Sequence, residues 1–193
     1  MDKPAGLLAV PGVGPANADS AATRLQALDQ NIRVVHRLDQ ATSGLLVFAR
    51  SLAAQRRLSG AFEARAVHKQ YVAVVEGLVV EDTGEVDLPL RTDWPNRPRQ
   101  VVDHEAGKPA LTRWRVLERD PLQNRTRLLL MPVTGRSHQL RVHLMALGHA
   151  ILGDTLYAAD PTRAPRLLLH ASRLEFDHPA TGLRCSFSSE VPF

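Results

Sequence analysis

Between Val34 and Arg50 the chain reads VVHRLDQATSGLLVFAR, a polar loop set between two apolar runs. The β-branched pair Val34-Val35 leads in and the run Leu45 to Ala49 leads out, a pattern that predicts two buried strands. The loop carries His36, Arg37, Asp39, Gln40, Thr42, Ser43 and Gly44. Charged and hydroxyl groups held between buried strands cost stability unless each finds a partner. Such a loop on a rigid scaffold is a candidate site, although an aspartate capping a turn beside a solvated arginine would look the same.

The rest of the chain supplies that scaffold. Asp2 to Val10 reads as a polar turn at Lys3-Pro4 followed by a short strand. PGVG at Pro11 to Gly14 has two glycines of a dinucleotide loop but neither the third nor a strong following helix, which argues against Rossmann binding. A short helix is expected over Asp19 to Leu28. Ser51 is expected to cap another, running to about Ala66, with Leu52, Leu58, Ala61 and Phe62 on its buried face. Lys69 to Gly77 alternates as a strand with Tyr71, Ala73 and Val75 on one side, and Asp87 to Leu90 reads as a further strand. Arg91 to Gln100, RTDWPNRPRQ, places two prolines and three arginines around Trp94, so it is expected as an exposed basic loop rather than a central strand.

Strands are also expected at Thr112 to Val116, at Arg127 to Met131 and around Cys185 to Ser188. Within Thr134 to Asp154 the spacing predicts a helix capped by Ser137, with a buried stripe of Leu140, Leu144 and Leu147 and a left-handed end at Gly148. Many strands, few helices and no regular strand–helix repeat predict an α+β fold, a mixed and mostly antiparallel sheet with flanking helices. No internal repeat or linker interrupts residues 1–193, so a single domain is expected.

Composition narrows the function classes. No apolar run approaches the ~18 residues of a membrane span, and no secretory leader is expected. Cys185 is the single cysteine. It excludes an internal disulfide framework, a zinc finger and an iron–sulfur cluster, and it suits a reducing cytoplasm. The net charge is +4, and of 24 basic residues only Lys3, Lys69 and Lys108 are lysines, the other 21 being arginines. That bias fits phosphate and base recognition, or simply an arginine-rich genome. His138, His143 and His149 invite a metal reading, but HExxH is absent and no cysteine helps, so structural roles and no metal are expected.

Four separated segments resemble, in order, the motifs of the RluA family of RNA pseudouridine synthases. They are DKPAGLLAVPG, HRLDQATSGLLVFAR, KQYVAVVEG, and TGRSHQLRVHLMALGHAILGD with LLLHASRLEFDHP after it. The intervening DLPLRTDWPNRPRQ and GKPALTRW are closer to the dual-specificity 23S rRNA and tRNA branch than to the large-subunit relatives. The resemblance implies the family's catalytic domain with a central active-site cleft. It also implies the isomerisation of uridine to pseudouridine without cofactor or metal: C1′–N1 breaks, the uracil turns, and a bond from C5 forms.

By the same resemblance Asp39 is the catalytic carboxylate, Arg141 the arginine paired with it, and Tyr71 the active-site tyrosine that stacks on the uracil and can help remove the C5 proton. Arg37 matches the residue that fills the gap left by the flipped base, although it could instead be a second partner for Asp39. Leu140 would wall the pocket, and His36 would hydrogen-bond backbone beside the loop. Trp94, Arg97, Arg99 and Arg136 are candidates for base and phosphate contacts.

The chain also departs from the family. Its pattern usually has another strand before the Lys-Pro turn, whereas Met1 immediately precedes Asp2, so a truncated first strand is one expectation. No S4-like module is expected before the domain, so substrate choice is expected to come from the catalytic domain itself. His149-Ala150 stands for the usual His-Pro, and Ser137 for a common Thr. The expected substrates are stem-loops, namely a hairpin loop in domain II of 23S rRNA and the tRNA anticodon loop, acted on by a monomer. The alternatives are another specificity within the family, a catalytically silent RNA-binding or RNA-folding protein, and a metal-dependent hydrolase.

Overall fold

The computed structural model describes residues 1–193, which divide into two compact units. One comprises Met1–Lys69 with His170–Pro192, the other Gln70–Leu169 with Phe193. In chain order the elements begin β1 (Asp2–Lys3), α1 (Ala21–Leu28), β2 (Arg33–Val34), β3 (Ser43–Leu45), β4 (Phe48–Ala49), α2 (Leu52–Glu63) and β5 (His68–Glu76). They continue β6 (Thr83–Asp87), β7 (Leu90–Thr92), β8 (Gln100–Val102), β9 (Leu111–Asp120), β10 (Arg125–Pro132), α3 (Gln139–Ala146), β11 (Leu169–Asp177) and β12 (Arg184–Ser188). The strands pair mostly antiparallel, so the class is the mixed α+β expected.

In the first unit β3 lies between β1, antiparallel to it, and β11, parallel to it, with β12 antiparallel on β11. The apolar run 45–49 is not one strand as the pattern suggests. It is shared between β3 and β4, and β4 pairs instead with β2. The break at Leu46-Val47 sends backbone donors elsewhere: Leu46 N–H to Met1 O at 2.9 Å and Val47 N–H to His36 Nε2 at 3.1 Å. Ser51 caps α2, its Oγ accepting from Ala54 N–H at 3.1 Å. That helix packs Leu58, with Ala61 and Phe62 half-buried beside it, on a core of Ala49, Val67, Leu174 and Phe176. Leu52, expected on the same face, lies instead in the first turn and is 46% exposed.

Lys3 ends β1 and does not form the polar turn expected at Lys3-Pro4. It is fully buried, and its ammonium donates to Pro4 O at 3.0 Å, Leu7 O at 2.8 Å and Gln40 O at 3.1 Å. A buried ammonium is tolerated when its protons all find acceptors. The first two bonds close the N-terminal turn on itself, and the third ties it to the polar loop.

In the second unit the order is β5-β10-β9-β6, antiparallel throughout, with an irregular register where Arg127 pairs Glu118 and Leu128 pairs Val116. Val72, Ala73, Val74 and Val75 are all buried, so β5 is covered on both faces and alternation alone understated it. The expected strand at 87–90 is a junction instead: β6 ends at Asp87 and β7 begins at Leu90. Pro89, with no N–H to donate, falls in the gap. Arg91 to Gln100 is not wholly loop, because β7 and β8 pair as a hairpin whose connection holds a short 3-10 turn at Trp94–Asn96.

Helix α3 differs from its prediction in two respects. Its first flanking residue is His138, in a left-handed conformation at φ 53°, and no side chain caps the end, so Ser137 is not the cap. The buried surface runs from Gln139 through Leu144, whereas Leu147 is 40% exposed. Gly148 does close the helix at φ 83°.

Gly44 carries the tightest packing constraint in the signature loop. It sits at φ 108°, and a Cβ there would lie 2.4 Å from Ala171 O. A side chain would meet both a disfavoured backbone region and the backbone of β11. We therefore expect Gly44→Ala to cost about 2–4 kcal/mol, read as a lowered urea midpoint. A variant as stable as the parent would refute the close pairing of β3 with β11.

Candidate active site

The polar loop of the first unit is held at both ends. At one end, His36 Nε2 accepts the Val47 N–H, and its ring stacks on Phe62 of α2 at 4.4 Å. An accepting nitrogen must be unprotonated. Burial, then the positive charges of Lys69 and the N-terminus, push the His36 pKa from 6.5 down to about 3. At the other end, Ser43 Oγ lies 2.9 Å from His170 Nδ1, and His170 Nε2 lies 2.9 Å from Ser189 Oγ, which bonds the Asp2 carboxylate. Between these anchors, Gln40 O takes the Lys3 ammonium and the Gly6 N–H, the latter at 2.9 Å. The Asp39 carbonyl accepts Thr42 N–H at 3.1 Å and closes a turn.

What the anchored loop presents is Asp39, half-buried, and Arg37, exposed two residues before it. The backbone around Asp39 is thus fixed by neighbours whose polar groups are bonded, the arrangement needed to hold a reacting carboxylate in place. His36 supports the loop through Val47 and Phe62, the backbone bond expected of it. Nearby, Lys69 is lowered to about 8 by burial.

In the second unit the candidates gather around α3. Gln139 organises its start: its side-chain oxygen accepts from the Thr134 hydroxyl at 2.7 Å and Arg136 N–H at 3.0 Å. Its amide donates to Leu111 O and to Thr112 Oγ1, both at 3.0 Å. Thr112 Oγ1 lies 3.0 Å from His143 Nδ1, and His143 Nε2 lies 3.0 Å from Leu88 O. A neutral His143, its pKa lowered mainly by burial, fits a chain in which Nε2–H donates to Leu88 and Nδ1 accepts from Thr112.

Arg141 is 4% exposed and clasped by Asp154, 1% exposed: Nε meets Oδ2 and Nη2 meets Oδ1, each at 2.7 Å. Asp154 Oδ1 also accepts Leu156 N–H at 2.9 Å and Tyr157 N–H at 3.2 Å. The sequence reading did not single out Asp154 or Tyr157. Asp154 shows only as the end of a Gly-Asp pair, and no periodicity marks it. Leu140 is buried beside Arg141 on α3, and Tyr71 is half-buried on β5 opposite Leu130.

The basic candidates lie on or beside the β7–β8 hairpin. Trp94 is 64% exposed, with the Arg97 guanidinium 4.4 Å from its ring centroid. Arg99 stands over Tyr157 at 5.3 Å. Arg136, exposed, donates from Nε to Pro109 O at 3.1 Å. Arg91, Lys108 and Arg136 share a pocket of about 290 Å³ with Gln100 and Ser137, a lining suited to phosphate oxygens.

The histidines considered for a metal have protein partners instead: Tyr157 for His138, Thr112 and Leu88 for His143, and Glu76 O at 2.8 Å for His149. No three His, Cys, Asp or Glu side chains are grouped so as to hold a metal ion, and no helix is long and apolar enough to cross a membrane.

A family model described as RNA pseudouridylate synthase matches residues 1–146. The chain belongs to this family, and it is an isomerase that converts uridine to pseudouridine in RNA. It is 51% identical to the dual-specificity RNA pseudouridine synthase RluA of Pasteurella multocida (strain Pm70), over all of this chain and 89% of that protein. The RluA of Escherichia coli (strain K12) is likewise 51% identical, over all of this chain and 89% of that protein. Among solved structures, human RNA Pseudouridylate Synthase Domain Containing 1 matches with a TM-score of 0.83 at 29% identity, over 100% of this chain and 79% of that one. Human RNA Pseudouridylate Synthase Domain Containing 4, at 24% identity and a TM-score of 0.77 over 99% of this chain and 84% of that one, shares the fold.

The histidine geometry sets a pH dependence. His36 is held neutral when folded, with its pKa moved from 6.5 to about 3, and the His143 value is lowered too. The unfolded chain binds more protons wherever the pH lies below about 6.5 and above the folded values. Stability from these groups is therefore full above about 6.5 and lost as the pH falls below it. Denaturation midpoints should drop between pH 7 and 4, and His36→Gln should flatten that slope. Equal slopes in parent and variant would remove His36 from the account.

Proposed function

We propose that the chain modifies uridines in stem-loops of both 23S rRNA and tRNA, namely a domain II hairpin loop and the anticodon loop. The observation that carries this reading is the signature HRLDQATSGLL, folded as an anchored loop that presents Asp39. The target pair is supported by 51% identity along the whole chain to proteins named dual-specificity RNA pseudouridine synthase.

Asp39 is assigned as the nucleophile or base that acts on the ribose or uracil. Arg141 is assigned as its charge partner, a role that suits a buried guanidinium already fixed in orientation by Asp154. Tyr71 is assigned to stack on the everted uracil and to assist removal of the C5 proton, with Leu140 as an apolar wall. After glycosidic cleavage the uracil turns, C5 bonds to C1′, the C5 proton leaves, and N1 takes up a proton from solvent.

Arg37, exposed on the loop, is assigned to the gap left in the base stack, where a flat guanidinium can stack and still donate to phosphate. Trp94, Arg97, Arg99 and Arg136 are assigned to base and phosphate contacts. We take the chain to work as a monomeric, single catalytic domain in the cytoplasm, where its RNA substrates and its one free cysteine both fit.

Asp39→Asn should bind a tritiated stem-loop about as well as the parent yet release no tritium from C5; residual turnover would count against the assignment, and tight binding without release by the parent would mean a silent RNA-binding protein. Arg37→Ala should reduce activity on structured loops about tenfold more than on short single strands, since only the former require the stack to be opened. Equal losses on both substrates would remove the gap-filling role.

A further inference from the structure

One side chain outside the assigned set meets both the exposed hairpin and the buried arginine. Tyr157 is 6% exposed and packs with Leu90, Ala110 and Val142, so its ring would be explained by core packing alone. Its polar contacts are not. The hydroxyl accepts the Gln100 N–H, at the start of β8, at 2.8 Å, and lies 2.7 Å from Nδ1 of His138, where α3 begins. The ring carries two guanidiniums, Arg141 at 5.0 Å and Arg99 at 5.3 Å. Arg141 is buried, whereas Arg99 is exposed on the hairpin. The Tyr157 N–H is itself held by Asp154, the carboxylate that clasps Arg141.

We infer that Tyr157 is a positioning residue that couples RNA held on the β7–β8 hairpin to the setting of Arg141. The inference rests on the function proposed above. Two routes carry the coupling. A phosphate on Arg99 neutralises one of two like charges sharing a ring, so the ring holds the other cation more firmly. A shift of the hairpin backbone at Gln100 is passed through the phenol oxygen to His138 and so to the first turn of α3, which contains Arg141. Both routes bias the same element, as coupling between two sites requires.

Steady-state kinetics on an anticodon stem-loop with the parent, Arg99→Ala, Tyr157→Phe and the double variant test this. Tyr157→Phe keeps the ring and removes only the hydroxyl contacts. Arg99→Ala in the parent should raise KM and also lower kcat by about fivefold to tenfold. Tyr157→Phe should lower kcat by about twofold to fivefold with KM nearly unchanged. Adding Arg99→Ala to it should then lower kcat by clearly less than the same change does in the parent, because the hydroxyl route is already lost and only the ring route remains.

A purely structural tyrosine predicts instead a lower melting temperature with kcat per folded molecule intact, and that result overturns the inference. Independent, multiplying losses in kcat overturn it as well. Should Tyr157→Phe fail to fold, Arg99→Ala decides alone, because a change confined to KM excludes any signal to the catalytic step. A parent that forms no pseudouridine in any RNA would instead overturn the function on which the coupling rests.

Discussion

A guanidinium inside a protein must be met by acceptors or it unfolds its surroundings, and Arg141 is met by both oxygens of Asp154. The bidentate geometry fixes the plane of the guanidinium as well as its charge. Replacing such a pair with apolar residues need not weaken a fold, so its presence speaks for orientation more than for stability. Around it, Gln139, Thr112, Thr134 and His143 satisfy one another in sequence. Helix α3 is buried almost from end to end for this reason: its polar residues carry partners with them into the interior.

The loop that bears Asp39 is built on the same rule with a different cation. Lys3 spends its protons on three carbonyls, one of them in the signature loop, while His36 accepts a backbone N–H that the split between β3 and β4 would otherwise strand. These contacts lie on either side of Asp39 and fix the backbone that carries it. A carboxylate on a backbone fixed in this way needs little reorganisation to act, which is the property the role proposed for Asp39 requires.

Exposure divides the remaining basic residues by role. The arginines of the β7–β8 hairpin stay in water, where they can meet phosphates, while Trp94 offers a stacking face with Arg97 upon it. Tyr157 stands between the hairpin and α3, touching Gln100 and Arg99 on the hairpin and His138 and Arg141 at α3. Leu90 and Val102 of the hairpin pack with Val142 and Met145 of α3 around that ring, and its hydroxyl adds the polar contacts to Gln100 and His138.

Much of this was legible before any coordinates. Motif strings identified the family, hydrophobic spacing located all three helices, and Ser51 and Gly148 marked helix ends because capping is a local matter of backbone groups and φ. Other features were misjudged because their energetics are not local. Lys3 read as part of a polar turn, Ser137 as a cap and Leu147 as core, since side-chain type alone does not reveal which carbonyls will surround an ammonium or how deeply a helix will sink. Asp154 and Tyr157 went unnoticed because partners 13, 19 and 57 residues away leave no periodic trace. The sequence by itself determined the family, the chemistry-bearing loop and the alternation of strands and helices. Tertiary structure decided which charged groups are buried and what meets them, because desolvation and ion pairing depend on neighbours that only the folded chain brings within about 3 Å.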